Sequence, residues 1–205
     1  MRIIGLTGSI AMGKSTAARL YRYCGVPVHD SDATVHRLLG HGGRAVAQVD
    51  AMFPGVVEGC AVNRAKLGHH VFGAPEELKK LEQILHPMVR EEEAQFLHAM
   101  ARRRASLVVL DIPLLFETGG DRRCDIVCVV SCPLAIQRQR VMRRPGMTEE
   151  RFQAILSRQT PDREKRVRAD FVLQSSLGLH LTLRQVMASI RLSREYSARK
   201  WRPGR

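Results

Sequence analysis

The sequence predicts an α/β fold: a doubly wound, five-stranded parallel sheet flanked by helices, with a helical lobe and a lid. Three observations carry this. Short apolar runs alternate with helical patterns, and the runs are nearly unbroken, as when helices cover both faces of a sheet. The first run leads into Gly8-Ser9-Ile10-Ala11-Met12-Gly13-Lys14-Ser15, which fits G-x-x-x-x-G-K-[ST] and opens a helical segment. More than seventy residues separate the second and third runs, more than a single crossover needs.

Arg2 to Thr7 is the first predicted strand, rich in β-formers. Thr16 to Cys24 follows the phosphate-loop pattern as a helix ended by Gly25. Val26-Pro27-Val28-His29 is the second strand, ending at Asp30-Ser31-Asp32, and Ala33 to Leu39 a helix. In the long middle segment Ala74-Pro75-Glu76-Glu77 reads as a helix start with acids in its first turn. Leu78, Leu81, Ile84 and Leu85 follow at helical spacing. A second helical pattern, with Val89, Phe96 and Leu97, is expected after a break at His86-Pro87. Leu107 to Leu110, ending at Asp111, is the third strand, Ile126 to Val130 the fourth and Phe171 to Leu173 the fifth. The last six residues, 200–205, are expected to fray. This divides a single domain of residues 1–205 into a core (1–32 and 105–205), a helical lobe (about 33–104) and a lid (about 138–160).

Hydrophobic residues make up 44% of the chain, enough to bury a core without covalent staples. No apolar run is long enough to span a membrane, and the amino terminus runs straight into a strand, so the expectation is a cytoplasmic protein without a signal peptide. The five cysteines form no C-x-x-C. Cys124, Cys128 and Cys132 flank or lie in the fourth strand, where spacing of four predicts one core-facing row. Small buried hydrophobes explain them better than a metal site, since no histidine falls nearby.

The net charge is +13 and uneven. From Gln137 onward there are 17 basic and 6 acidic residues, against 16 and 14 before it. Such a basic third suits nucleic acid, an anionic surface or a polyanionic small molecule. It lacks the aromatic interleaving of base-stacking proteins, so nucleic acid is not expected.

The chemistry is predicted at the carboxyl ends of the strands, where open parallel sheets bind ligands. Loop amides around Gly8 and Gly13, the positive end of the following helix and Lys14 suit phosphates, and Ser15 suits Mg²⁺. Asp30, Asp32 and Asp111 all end strands. Asp32 is the candidate base and Asp111 the metal-side acid, while either Asp30 or Asp32 could instead cap the helix that follows. Arg138, Arg140, Arg143 and Arg144 precede Pro145-Gly146, and helix, sharp break, helix is what a mobile lid needs. These arginines read two ways, as phosphate clamps or as a solvated basic face.

The motifs in order resemble the dephospho-CoA kinase family over nearly the whole chain. They are Gly5-Leu6-Thr7-Gly8 with Gly13-Lys14-Ser15-Thr16; Asp30-Ser31-Asp32; Arg64 with Leu67 and Val71-Phe72; and Leu81-Glu82, Leu85-His86-Pro87 and Arg90. Asp111-Ile112-Pro113-Leu114-Leu115-Phe116-Glu117 follows, then Arg140 and Arg144, Arg158-Gln159, Lys165 and Ala169-Asp170. The resemblance implies a nucleotide-binding core, a helical substrate lobe and a lid. It implies transfer of the ATP γ-phosphoryl group, with Mg²⁺, to the ribose 3′-hydroxyl of dephospho-CoA. By position, Asp32 would accept the hydroxyl proton, with Lys14 and Arg140 beside it as catalytic residues. ATP would be bound by Gly8, Ala11, Met12, Gly13, Lys14, Ser15, Thr16 and Arg144, and Mg²⁺ by Ser15 and Asp111. Arg64, His86, Arg90, Leu114 and Glu117 would form or support the acceptor site. His86-Pro87 reads equally as a helix break with a packed imidazole, and Glu117 as a structural partner for an arginine.

Two departures stand out. Ser9, Ala11 and Met12 occupy loop positions where the family carries more glycine, and Gln174-Ser175-Ser176 follows the last strand where it shows asparagine. A different nucleoside or nucleotide kinase, or a nucleotide-gated nucleic-acid binder, are the competing readings. Oligomeric state is not fixed by the sequence.

Overall fold

A computed structural model describes residues 1–201. It divides into two compact units: residues 1–29 with 98 onward, and residues 30–97. Strands β1 (Arg2–Thr7), β2 (Val28–Asp30), β5 (Leu107–Asp111), β6 (Ile126–Ser131) and β7 (Phe171–Gln174) form one sheet in the order β2-β5-β1-β6-β7. β1 lies between β5 and β6 and pairs parallel with both, Leu6 opposite Asp111 on one side and Cys128 on the other. β5 and β6 are buried at every residue, as central parallel strands covered on both faces must be.

Helices α1 (Lys14–Tyr23) and α9 (Leu179–Leu192) cover the sheet, burying Ala17, Tyr21 and Val186 with Ile4, Leu6, Val109, Ile126 and Cys128. Within this core the Tyr21 hydroxyl lies 2.7 Å from Ser189 Oγ and donates to Cys128 Sγ at 3.5 Å. Three further helices, α6 (Leu134–Met142), α7 (Glu149–Leu156) and α8 (Asp162–Val167), connect β6 to β7. The break between α6 and α7 holds Pro145 and Gly146, and Thr148 caps α7 by accepting the Arg151 N–H.

The smaller unit contains α2 (Ser31–Leu39), α3 (Val46–Met52), a hairpin of β3 (Val57–Glu58) and β4 (Ala61–Val62), α4 (Arg64–Val71) and most of α5 (Pro75–Arg102). Its core gathers Leu38, Val49, Phe53, Val56, Leu67, Leu81 and Leu85. The hairpin was not legible, because two-residue strands give no alternation to read.

Three expectations are corrected. α5 is one helix of 28 residues with Pro87 inside it, where a break had been expected. Proline removes one backbone bond, but burial of Leu81, Leu85 and Leu97 at helical spacing on either side outweighs that loss. Cys124 and Cys132 lie outside β6, so the three cysteines are buried but do not form one strand face. Lys200 is held rather than frayed, since the Arg199 and Lys200 N–H groups donate to Asp125 Oδ1, and Trp201 stacks edge-on against His98 at 4.8 Å. Residues 202–205 lie outside the described residues.

The turn from β1 into α1 is backbone-limited. A Cβ on Gly8 would sit 2.7 Å from the Val130 carbonyl oxygen, so only glycine permits this approach to β6. Ala11 and Gly13 both have positive φ, +58° and +97°. Left-handed geometry costs an alanine roughly 1–2 kcal/mol. Ala11→Gly is therefore expected to raise the melting temperature by about 2–4 °C, read by calorimetry, with unchanged or lowered melting showing that Ala11 is unstrained.

Burial, eased by the Tyr21 hydroxyl, pushes the Cys128 thiol from 9.0 up to about 12. A thiol raised on folding favours the native state fully below its unfolded value, and that contribution is lost as pH climbs from about 9 toward 12. Melting temperature should fall above pH 9, and the fall should be shallower in Cys128→Ala. An identical slope in the variant would exclude this thiol as a source.

Candidate active site

The phosphate-loop residues sit where β1 ends. Met12 N–H returns to the Ser9 carbonyl at 3.1 Å, and the Gly13 carbonyl accepts from Thr16 and Ala17 to start α1. No side chain caps this helix and no acid lies in its first turn, so its positive end is uncompensated by its own sequence. Met12 is buried, and its sulfur accepts the Cys132 N–H at 3.2 Å. This thioether anchor explains how the loop closes where the sequence carries methionine in place of glycine.

Lys14 Nζ lies 2.6 Å from Asp111 Oδ1, with 14% and 3% of the two side chains exposed. The parallel register sets this pair, because Asp111 stands opposite Leu6 and both precede loops at the carboxyl edge of the sheet. The segment after Asp111 is held by Thr7 Oγ1 donating to the Pro113 carbonyl at 2.9 Å. Leu115 and Phe116 are buried, while Leu114 is 37% exposed. Ser15 is exposed near the start of α1, so its hydroxyl and the Asp111 carboxylate present hard oxygen donors at this edge.

Arg140, on α6, donates from Nη1 to Ser175 Oγ at 2.8 Å and from Nη2 to the Ser175 carbonyl at 2.9 Å. A Cβ on Gly13 would lie 3.6 Å from Arg140 Nη1, so this guanidinium flanks the loop. Arg144 is exposed beyond the end of α6 and is not drawn into that cluster. Arg138 is spent on Glu149, at 2.8 Å.

Glu117 has a lysine, not an arginine, as its partner. Its Oε1 accepts the Thr160 N–H at 2.7 Å and lies 3.0 Å from the fully buried Lys165 Nζ. Burial alone would raise the Glu117 carboxyl, but bonds from its own N–H and that of Thr160, with Lys165, hold it below the usual carboxylate range. The next residue back, Gln159, accepts the Ile10 N–H of the phosphate loop at 3.1 Å.

In the smaller unit the two aspartates at the start of α2 divide their work. Asp30 is the cap, its Oδ1 accepting the Ala33 N–H at 3.0 Å, and Asp32 is exposed in the first turn. His36 lies one turn beyond Asp32 on the same face, and its Nδ1 is 3.0 Å from Arg64 Nη1. Asn63 caps α4 and so fixes where Arg64 starts. His86 and Arg90 are exposed at i and i+4 on α5, which places them on one face and leaves the imidazole exposed, against the reading of a packed one at a helix break.

Sequence reading missed Gln137 and marked Ser175 only as part of the departure after the last strand, without a role. Gln137 is buried and donates from Nε2 to the Ile10 carbonyl at 2.9 Å, and Ser175 Oγ donates to the Met12 carbonyl at 2.5 Å. Neither carries a local signal, because each reaches the loop across more than 120 residues of chain.

Known proteins resemble the chain in sequence and in fold. The family model described as dephospho-CoA kinase matches residues 2–180. A dephospho-CoA kinase of Paramagnetospirillum magneticum is 60% identical over 166 residues, covering 81% of this chain and 78% of that protein. One of Rhodospirillum rubrum is 53% identical, covering 99% and 96%. A crystal structure from Thermus thermophilus superimposes with a TM-score of 0.81 at 38% identity, covering 94% of this chain and 97% of that one. With the family model spanning most of its length, the chain belongs to the dephospho-CoA kinase family, enzymes that use ATP to phosphorylate the ribose 3′-hydroxyl of dephospho-CoA in the final step of coenzyme A biosynthesis.

Proposed function

We propose the following division of roles for that reaction. Gly8, Ala11, Met12, Gly13, Lys14, Ser15 and Thr16 hold the ATP polyphosphate. The observation that carries this is the uncompensated amino end of α1 with Lys14 and Arg140 beside it, a concentration of positive charge suited to a polyanion. Arg140 offsets charge on the transferring phosphoryl group, and Arg144, on the lid of residues 138–160, closes over ATP. The break between α6 and α7 supports such a lid.

Asp32 takes the proton of the 3′-hydroxyl as its oxygen bonds to the γ-phosphorus. The bridge to the β-phosphate breaks and ADP leaves. Support comes from the place of Asp32, exposed in the first turn of the helix that follows a strand's carboxyl end, where open parallel sheets bind ligands. Arg64, His86 and Arg90 are cationic or donor groups suited to the phosphates of dephospho-CoA, with Leu114 along its apolar part. Glu117 supports this site through Lys165 and Thr160 rather than by touching the acceptor. Ser15 and Asp111 would hold Mg²⁺, a fit to its preference for hard oxygen, and that ion supplies neutralisation of the phosphate oxygens. The basic carboxyl-terminal third serves a phosphate-rich substrate pair rather than nucleic acid, and a reaction on soluble metabolites suits the cytoplasm. No described helix is long and apolar enough to cross a membrane.

Coenzyme A formation, followed by mass, tests the roles. Asp32→Asn should lower kcat by about 10²–10⁴ with little change in ATP affinity, whereas Lys14→Ala should also weaken ATP binding. Full activity in both variants would overturn the assignment. ATP should slow proteolysis between Arg143 and Thr148. Cleavage there that ignores ATP would argue against lid closure.

A further inference from the structure

Two side chains outside the loop motif hold the phosphate loop by its carbonyls. Gln137, buried on α6, bonds the Ile10 carbonyl, and Ser175, just after β7, bonds the Met12 carbonyl. A peptide unit is planar and trans, so its N–H points opposite to its carbonyl. Fixing the Ile10 carbonyl on Gln137 therefore fixes the Ala11 N–H to the opposite side of that peptide. Fixing the Met12 carbonyl does the same for Gly13 N–H. Neither N–H donates to an acceptor among the described residues, while the intervening Met12 N–H closes back on Ser9.

The loop backbone cannot set these planes alone. A flip of the peptide before Gly13 changes φ at a glycine, which accepts either sign. A flip of the peptide before Ala11 would release an alanine from φ +58°, so local strain favours the wrong orientation. A flipped peptide would aim a carbonyl oxygen at phosphate where an amide donor is needed.

We propose that Gln137 and Ser175 are positioning residues for phosphoryl transfer, setting two alternate peptide planes so that the Ala11 and Gly13 N–H groups converge on the polyphosphate. Ser175 has a second task. Its hydroxyl donates to Met12 and accepts from Arg140, which orients the guanidinium from the same point. The Ser175 N–H donates to the Ser131 carbonyl at 2.9 Å, which ties the residue itself to the end of β6. The inference rests on reading Gly8 to Thr16 as the ATP polyphosphate site.

The test is calorimetric titration of the full-length enzyme with ATP and with inorganic tripolyphosphate, alongside thermal melting. Gln137→Met and Ser175→Ala should each weaken both ligands about tenfold, and the double variant about a hundredfold, since the two peptides are separate. Ser175→Thr keeps the hydroxyl and should restore affinity, which a role in packing alone would not produce. In an Arg140→Ala background, Ser175→Ala should still weaken tripolyphosphate, separating the peptide plane from the arginine. If Gln137→Met does not fold, the Ser175 series decides. Folded variants that bind both ligands like the parent would overturn the inference. A parent enzyme that binds neither would instead overturn the phosphate-loop reading beneath it.

Discussion

Backbone donors that meet no acceptor among the described residues, at the end of a buried strand, are the demand around which this molecule is arranged. Amide groups that must serve an anion cannot be used up in secondary structure, so something else has to hold them in place. β1 is suited to that, because it pairs on both edges and is buried along almost its whole length. The loop leaving it is then fixed by contacts from separate parts of the chain. β6 meets it at Gly8, Cys132 at Met12, and Gln159 at Ile10.

The same logic accounts for a charged pair in the interior. Lys165 is fully buried against Glu117, which also accepts the Thr160 N–H next to Gln159. Removing one partner of such a pair leaves an uncompensated charge, a loss of about 3–5 kcal/mol, while the intact pair adds little net stability. Its effect is on geometry. It fixes the chain where α7 gives way to α8, and through Gln159 it reaches the phosphate loop.

Much of this was legible in the chain because the physics is local. The apolar runs of β1, β5, β6 and β7 are continuous, and each coincides with its predicted strand to within a residue or two. The motif from Gly8 to Ser15 encodes its own turn, and the Asp30-Ser31-Asp32 triplet announced one cap and one other carboxylate, leaving only which is which to the structure. What escaped was decided at a distance. Pro87 is a strong local breaker overruled by burial on both sides. The four-residue spacing of Cys124, Cys128 and Cys132 suggested a strand face, but β6 begins after the first and ends before the last. Gln137 and Ser175 are ordinary polar residues in sequence, and only the sheet order brings them to Ile10 and Met12.

The sheet order also sets a schedule. β1 is the first strand of the chain, yet its neighbours β5 and β6 begin at Leu107 and Ile126. During synthesis, then, β1 has neither of its partners until the chain has grown from Thr7 past Leu107. Pairings over such separations form slowly. A ribosome that stops between β1 and β5 therefore releases a strand whose two sheet neighbours have not been made.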